Sequence, residues 1–243
     1  MIFRKGPSEI KSENARLNAW IYIDIKDIDV GTYVKRAKEV ISEEIQMPDG
    51  YSLVWSGQYE YMERAKERLK LVVPLALVII FILLYMNFKS VAESLIVMLS
   101  LPFAMVGGVW LMYLLGYNMS VAVSVGFIAL AGLAAETGVI MLLFLDMAYE
   151  KKESSGGVNS MEDLHDVIFE GASQRIRPKM MTFAATFGGL LPIMWGTGTG
   201  SEVMRRIAAP MVGGIVFSML LTLIVIPVIY AIWKGFALQR KNR

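Results

Sequence analysis

Two long stretches of apolar residues carry no charged side chain and limit what this chain can fold into. Residues 71–88 and residues 94–135 contain no Asp, Glu, Lys or Arg. An α-helix needs about 20 mostly apolar residues to cross a hydrocarbon core about 30 Å thick. Across the whole chain, 55% of residues are hydrophobic and only 19% are charged. This balance is unlike that of a soluble globular domain, so the sequence predicts a membrane protein.

The predicted fold class is a membrane all-α bundle of five transmembrane helices with a small N-terminal α/β segment. The second and third spans share the longer uncharged stretch, which Gly116 and Asn118 divide by a turn. The polar residues 59–70 are expected to be helical and to lead directly into the first span. The transmembrane domain is predicted over residues 67–234, with spans at about 67–88, 92–115, 119–148, 179–196 and 202–234.

Positively charged residues gather on one side of this predicted topology. Cytoplasmic loops of membrane proteins collect Lys and Arg. The loop 149–178, the first short turn and the tail 235–243 hold most of them, so these parts are predicted to be cytoplasmic and residues 1–66 to lie outside. The side chains behind this orientation are Lys89, Lys151, Lys152, Arg175, Arg177, Lys179, Lys234, Arg240, Lys241 and Arg243.

Residues 1–66 have a strand, helix, strand pattern. Residues 19–28 alternate apolar and polar side chains, as a half-buried strand does, and residues 51–56 are expected to form a second strand. Residues 30–45 place their apolar side chains on one helical face. Two such strands cannot cover their own edges, so partner strands are expected from elsewhere. The polar N-terminus also lacks a secretory signal pattern, which favours a piece of a longer protein.

The composition excludes several classes of enzyme and cofactor site. The sequence has no Cys and a single His, His165, which removes disulfides, thiolate metal sites and any site with two imidazoles. The glycine-rich residues 196–202 lack the Lys of a phosphate-binding loop. The net charge is only +2, and no basic tract is interleaved with aromatic residues. We expect a lipid-embedded protein that is not an enzyme, holds no cofactor and binds no nucleic acid.

Glu136 is the most informative residue of the predicted spans. A carboxylate inside a membrane is costly when ionised and unpaired, so such residues usually mark ion or proton paths. The small residues around it, within 131–138, let neighbouring helices approach closely. The alternative is a position near the cytoplasmic headgroups, because Asp146 lies only roughly 15 Å further along the same helix.

Lys179 and Thr182 lie at the start of the fourth predicted span, and each also has a simple structural explanation. A Lys at a helix end commonly extends to the headgroups as an anchor. A Thr hydroxyl inside a helix commonly bonds back to the carbonyl four residues earlier. From the residues alone, a proton-carrying role for Lys179 or Thr182 stays the less favoured alternative.

Methionine is frequent, with 17 residues in the chain. Thioethers are soft ligands that suit Cu(I) and Ag(I). Most of the methionines are nevertheless expected to pack or to face lipid, including Met98, Met105, Met141 and Met219. The excess leans towards monovalent metal ions without identifying ligands.

Five motifs follow one another in a fixed order: KSENAR at 11–16, WSGQYE at 55–60, AGLAAETGVIML at 131–142, RPK at 177–179 and LLPIMWGTGTGSEVMRRIAAP at 190–210. With the predicted topology, they resemble the resistance-nodulation-division (RND) exporters, specifically the heavy-metal efflux branch of copper/silver type. The resemblance covers essentially the whole chain. It implies that residues 1–66 belong to a periplasmic porter subdomain and that the remainder forms the last five helices of a bacterial inner-membrane pump.

The resemblance implies proton-driven secondary active efflux of Cu(I) or Ag(I). It also implies a homotrimer that docks a periplasmic adaptor and an outer-membrane channel. Residues similar to Glu136 and Lys179 occur in the copper/silver type, so both are predicted members of a proton network. Thr182 matches a hydroxyl position of the relay in drug exporters, and Met204 resembles a methionine of the proposed metal path.

The first half of the family, with its fourth-helix carboxylates and central metal-site methionines, is not within these residues. An N-terminal half of the pump is therefore an expected partner. Two other functions stay open: an exporter of organic drugs, which predicts Lys at position 136, and a non-transporting membrane remnant or scaffold. Export of divalent zinc, cobalt or nickel is less favoured, since these ions prefer carboxylate and imidazole ligands.

Overall fold

The computed structural model describes residues 11–13, 15–25, 28–155, 157–158 and 160–241. The chain divides into two compact units, Met1–Tyr59 and Glu60–Arg243. The first holds a small two-stranded sheet and one helix, and the second is almost entirely helical. The predicted class, a mostly helical chain with a small N-terminal sheet, is confirmed at this level.

The first unit contains a short hairpin and an amphipathic helix. Strand β1 (Lys11–Glu13) pairs antiparallel with β2 (Arg16–Asn18), and Ala15 between them has a positive φ of 61°. Helix α1 (Val30–Glu44) follows the predicted periodicity and buries Val34. Asp29 begins α1, because its carboxylate accepts a hydrogen bond from the Thr32 backbone N–H at 2.8 Å.

The two predicted strands differ from what the structure shows. Residues 19–25 and 51–56 have no regular secondary structure, and Lys26 and Asp27 lie outside the described residues. A strand exists only when its N–H and C=O groups find a partner strand. The described chain supplies a partner only within the hairpin at residues 11–18, so the alternation of residues 19–28 produces no sheet here.

The Asp29 cap makes the start of α1 sensitive to pH. The Thr32 side chain and backbone N–H hold the pKa of the Asp29 carboxyl below its ordinary value. A depressed pKa means that the stabilisation is present above the ordinary value and is lost as pH falls through the lowered one. We expect Asp29→Ala to destabilise α1 by about 1 kcal/mol, measured by amide hydrogen exchange in residues 30–44. Asp29→Asn should keep the cap, but the stability of α1 should no longer depend on pH through this residue. A pH dependence equal to that of the unsubstituted chain would contradict the assignment.

The second unit consists of long helices joined by short connections. Their bounds are α2 (Gln58–Phe88), α3 (Val91–Leu114), α4 (Val121–Ser155), α5 (Met161–Trp195), α6 (Ser201–Leu220), a π-helical turn (Leu221–Val225) and α7 (Ile226–Lys241). Helix α2 is continuous from the polar residues into the apolar ones, as predicted.

Four helices of the described chain are long and apolar enough to cross a membrane: α2, α3, α4 and the continuous run Ser201–Gln239. The predicted span 179–196 is helical, as the second half of α5, but it is not among them. Lys179 and Pro192 lie within it and lower its mean hydropathy. The number of crossings therefore stays a prediction.

Residues 149–178 differ from the predicted loop because they are almost entirely helical. Helix α4 continues to Ser155, and α5 begins at Met161 behind a capping box between Ser160 and Asp163. Leu164 and Val167 of α5 are buried in a cluster with Val158 of the connection, Ala148 of α4 and Leu238 of α7. Salt bridges from Lys151 to Glu170 (2.7 Å) and from Lys152 to Asp163 (3.2 Å) join α4 to α5 at the surface.

Glycines let α3, α4 and α6 pack with their backbones in contact. A β-carbon added at Gly107 or at Gly213 would collide with the backbone carbonyl of the other glycine. Gly126 of α4 faces the carbonyl of Ile207 on α6 in the same way. In a membrane, such close approach increases van der Waals contact between helices. We call Gly107, Gly126 and Gly213 the glycine seam.

The π-helical turn joins α6 to α7 and changes the face that α7 presents. The Ile226 N–H donates to the Leu221 carbonyl, five residues back, and Pro227 next to it has no N–H to donate. One extra residue in a turn rotates the following residues by about 100° relative to an uninterrupted helix. As a result, Ile226 and Tyr230 are fully buried against α3 and α4.

Candidate functional site

Glu136 and Lys179 lie on packed neighbouring helices, α4 and α5. Lys179 is buried, with 7% of the residue exposed, whereas Glu136 is exposed on the surface of the chain. The Glu136 carboxylate attracts the Lys179 ammonium, and Arg175 repels it. No salt bridge joins Glu136 to Lys179 among the described side chains. The two residues therefore lie on neighbouring helices without a direct salt bridge.

Thr182 lies one helical turn beyond Lys179 and is exposed. Its hydroxyl donates to the Pro178 carbonyl at 3.0 Å, which is the back-bonding geometry expected of a helical Thr. Thr186 repeats the pattern towards the Thr182 carbonyl at 2.8 Å. Membership of Thr182 in a proton relay stays a prediction, since its proton is directed at the backbone in this structure.

Met204 lies in the first turn of α6 and is 58% exposed. Within the described residues, no group of three or more His, Cys, Asp or Glu could hold a metal ion. Other methionines serve packing: Met141 is fully buried, and Met98 and Met105 pack against the apolar core. An exposed thioether at the end of a helix is a possible ligand for a soft ion, and the metal role of Met204 stays a prediction.

A second group of charged side chains lies at the opposite end of α4 and was not predicted from the sequence. Lys234 of α7 forms a salt bridge to Glu93 of α3, with 3.6 Å between Nζ and Oε1. The Tyr230 hydroxyl donates to Asp146 Oδ1 of α4 at 2.7 Å. We call Glu93, Asp146, Tyr230 and Lys234 the ion cluster.

Local structure positions each member of the ion cluster. Ser90 caps α3 by accepting a hydrogen bond from the Glu93 backbone N–H, which fixes Glu93 in the first helical turn. Lys234 lies over three aromatic rings, with distances from Nζ to the ring centroids of 4.5 Å for Tyr149, 4.6 Å for Trp233 and 5.4 Å for Tyr230. Each ring face attracts the ammonium group. The salt bridge is well enclosed, with side-chain exposures of 19% for Lys234 and 7% for Glu93.

Sequence reasoning missed the ion cluster because its members lie far apart along the chain. In the sequence, Lys234 reads as one of the cytoplasmic cations, and Asp146 indicates only how near Glu136 lies to the headgroups. Glu93, an acidic residue at the start of a predicted span, was the available signal. Only the packing of α3, α4 and α7 brings these residues together.

Ionisable side chains enclosed among long apolar helices are typical of membrane transport proteins. The chain belongs to the AcrB/AcrD/AcrF family, which matches residues 2–234. It is 50% identical over 227 residues to the cation efflux system protein CusA of Escherichia coli K12. It is 49% identical to the putative cation efflux system protein SilA of Salmonella typhimurium. These relatives are efflux proteins, and the predicted membership of the RND heavy-metal efflux branch is confirmed.

A relative whose name specifies divalent metals is less similar. The cobalt-zinc-cadmium resistance protein CzcA of Cupriavidus metallidurans is 36% identical over 225 residues. The fold is similar to the X-ray crystal structure of a heavy metal efflux pump, with a TM-score of 0.72 and 29% identity over 86% of this chain and 20% of that one. The alignment covers 93% of this chain but only 22% of CusA, so the chain spans about a fifth of the length of its relatives.

Proposed function

We propose that the chain forms the C-terminal portion of a proton-driven exporter of Cu(I) and Ag(I). The observation that carries this proposal is that a carboxylate, Glu136, and a buried ammonium, Lys179, lie on two long helices that pack together, α4 and α5. Drug exporters of the family resemble this arrangement less, since they have Lys at the position of Glu136. The alternatives of drug export and of a non-transporting remnant are therefore less favoured.

Proton coupling follows from the cost of burying charge. An ionised Glu136 compensates the charge of Lys179, whereas a protonated Glu136 leaves Lys179 without a counter-ion. The two protonation states should prefer different arrangements of α4 and α5, so proton binding and release can drive helix movement. The exposed face of Glu136 is free to contact acidic residues of the N-terminal half, which we propose as a partner. Thr182 would connect to this network only by releasing its bond to Pro178.

Selectivity for soft metal ions is supported by the chemistry of the side chains and by the sequence identities to the relatives. The chain has no Cys, one His and 17 Met, so thioethers are its most frequent soft donors. Met204 is an exposed thioether at a helix end. Thioethers bind monovalent copper and silver better than harder divalent ions. The higher identity to CusA and SilA than to CzcA points the same way.

The assembly is part of the same proposal. We propose that the exporter is a homotrimer in the bacterial inner membrane and works with a periplasmic adaptor and an outer-membrane channel. Residues 1–66 would lie in the periplasm and the C-terminus in the cytoplasm, as the distribution of Lys and Arg predicts. No cofactor is needed, because the proton gradient supplies the energy.

Transport in everted membrane vesicles tests the proposal. With the exporter that contains this chain, an imposed proton gradient should drive Ag⁺ uptake, and a protonophore should reduce uptake to the background of vesicles without the exporter. Zn²⁺ should not be taken up. Met204→Leu should weaken Ag⁺ uptake, whereas Met119→Leu, equally exposed near the same end, should not. Uptake of an organic dye without Ag⁺ would support drug export instead, and Ag⁺ uptake that survives the protonophore would contradict proton coupling.

A further inference from the structure

The ion cluster holds more negative than positive charge in an enclosed place. Of its two carboxylates, Glu93 forms the salt bridge to the single ammonium, Lys234, and Asp146 accepts the hydrogen bond of the neutral Tyr230 hydroxyl. Glu93 is 5% exposed and Tyr230 is fully buried, and Asp146 is partly buried. With both carboxylates ionised, the cluster would carry a net charge of −1 inside the packed helices.

Uncompensated charge in such a place is costly. Asp146 and Glu150 repel Glu93, and only Lys234 attracts it. Asp146 is itself repelled by Glu150 and attracted by Lys234. Two like charges that share one counter-ion rarely both stay ionised in a poorly solvated site, and the usual resolution is that one of them binds a proton.

Among the described side chains, Lys234 is the only cation in a salt bridge with Glu93 or Asp146. Arg175 of α5 lies over the Phe144 ring of α4, two residues before Asp146. From α4, the further group that acts on both carboxylates is Glu150, which is exposed and acidic. From α7, the groups that act on the pair are Tyr230 and Lys234. Helix α5 meets α7 through apolar atoms, since Gly235 lies next to the Met161 and Leu164 side chains. The aromatic rings around Lys234 stabilise its ammonium form, so Lys234 is poorly suited to release a proton in place of the carboxylates.

We propose that Glu93 and Asp146 together bind one proton beside Lys234, as a second proton site distinct from Glu136 and Lys179. The bound proton makes the cluster neutral: two carboxylates, one proton and one ammonium. Tyr230 holds Asp146 in place by its hydrogen bond, and the proton is assigned to the pair as a whole. The site joins α3, α4 and α7 at the end of the bundle where α4 and α5 connect.

This site adds to the proposed proton-driven export, but its existence does not require transport. A proton bound here would have to leave before Glu93 and Asp146 could both ionise, and the resulting charge would push α3 and α4 apart. The cluster therefore offers a second point at which proton binding changes helix packing.

Infrared spectroscopy of the purified 243-residue chain in lipid nanodiscs at neutral pH tests the proposal directly. The C=O stretch of a protonated carboxyl is separate from that of a carboxylate. We expect Glu93→Gln and Asp146→Asn each to remove the intensity of one protonated carboxyl, because the remaining carboxylate is then balanced by Lys234. Lys234→Met should add the intensity of about one more protonated carboxyl, since two carboxylates then have no counter-ion.

Tyr230→Phe is the matched control, since it removes a hydrogen bond without changing the charge count, and it should keep the band. The amide band of each spectrum shows whether the variant is still helical. Unchanged intensity in Glu93→Gln or in Asp146→Asn would overturn the proposal, as would the absence of any gain in Lys234→Met. The measurement uses neither metal nor a gradient, so its failure would leave proton-driven export untouched, and a failure of export would leave this site intact.

Discussion

Replacing Glu136 by Gln is expected to reduce proton-driven metal export to the background level. Gln keeps the shape and a hydrogen-bonding capacity of the side chain but cannot bind and release a proton at neutral pH. Lys179 would then stay buried without a charge to compensate it, in every state of the cycle. The measurement is Ag⁺ uptake in everted vesicles, with the amount of exporter in the membrane determined in parallel.

Two companion variants separate a proton network from simpler roles. Glu153→Gln changes an exposed carboxylate on the same helix and should export normally. Lys179→Arg keeps the positive charge but cannot release a proton, because an Arg guanidinium stays charged in proteins. An anchor role predicts that Lys179→Arg is active, and a proton-network role predicts that it is as inactive as Lys179→Met. Normal export by Glu136→Gln would contradict the proposed coupling, and an active Lys179→Arg would return Lys179 to the role of an anchor.

Substituting the glycine seam is expected to have the largest effect on stability. An Ala at position 213 places a β-carbon against the backbone carbonyl of Gly107, which no side-chain rotation relieves. Overpacking of this kind costs about 1–3 kcal/mol. Gly213→Ala should therefore unfold at lower denaturant concentration, measured on the purified chain by loss of helical circular dichroism in detergent mixtures.

Gly132 supplies the matched control. It lies on α4, and nothing is within 4 Å of a β-carbon added there. An Ala at this position should be neutral or stabilising by up to about 1 kcal/mol, because Ala restricts the unfolded chain and favours a helix. Equal stability of Gly213→Ala and Gly132→Ala would contradict the close approach of α3 and α6.

The secondary structure of the membrane part was largely predictable because each signal is local. The uncharged stretches 71–88 and 94–135 predict helices, since a backbone in lipid has to satisfy its own hydrogen bonds. The periodicity of residues 30–45 was similarly sufficient for α1, which the structure places at Val30–Glu44. Residues 19–28 were not predictable in this way, because alternation shows which face of a strand is apolar but cannot supply the partner strand.

Only part of the candidate site could be predicted from the sequence. Glu136 stands out as a lone carboxylate in an uncharged region, and its detection needs no neighbour. The burial of Lys179 could be recognised only in the folded structure. A Lys at the start of a span can extend towards the headgroups or into the bundle, and the local sequence is the same in both cases. The ion cluster was missed because Glu93, Asp146 and Lys234 each lie near the end of a predicted span, where a charged residue ordinarily faces water.

The sequence alone predicted that the chain enters a membrane and where most of its helices lie. Its methionine content also favoured monovalent metal ions, without identifying the ligands. Those properties depend on composition and on short-range spacing. Tertiary structure decided which ionisable groups meet. The π-helical turn at Leu221–Val225 rotates α7, and the glycine seam sets how closely α3, α4 and α6 approach. Both effects act between residues distant along the chain, so the contact of Lys234 with Glu93 follows from packing and could not be obtained from any local pattern.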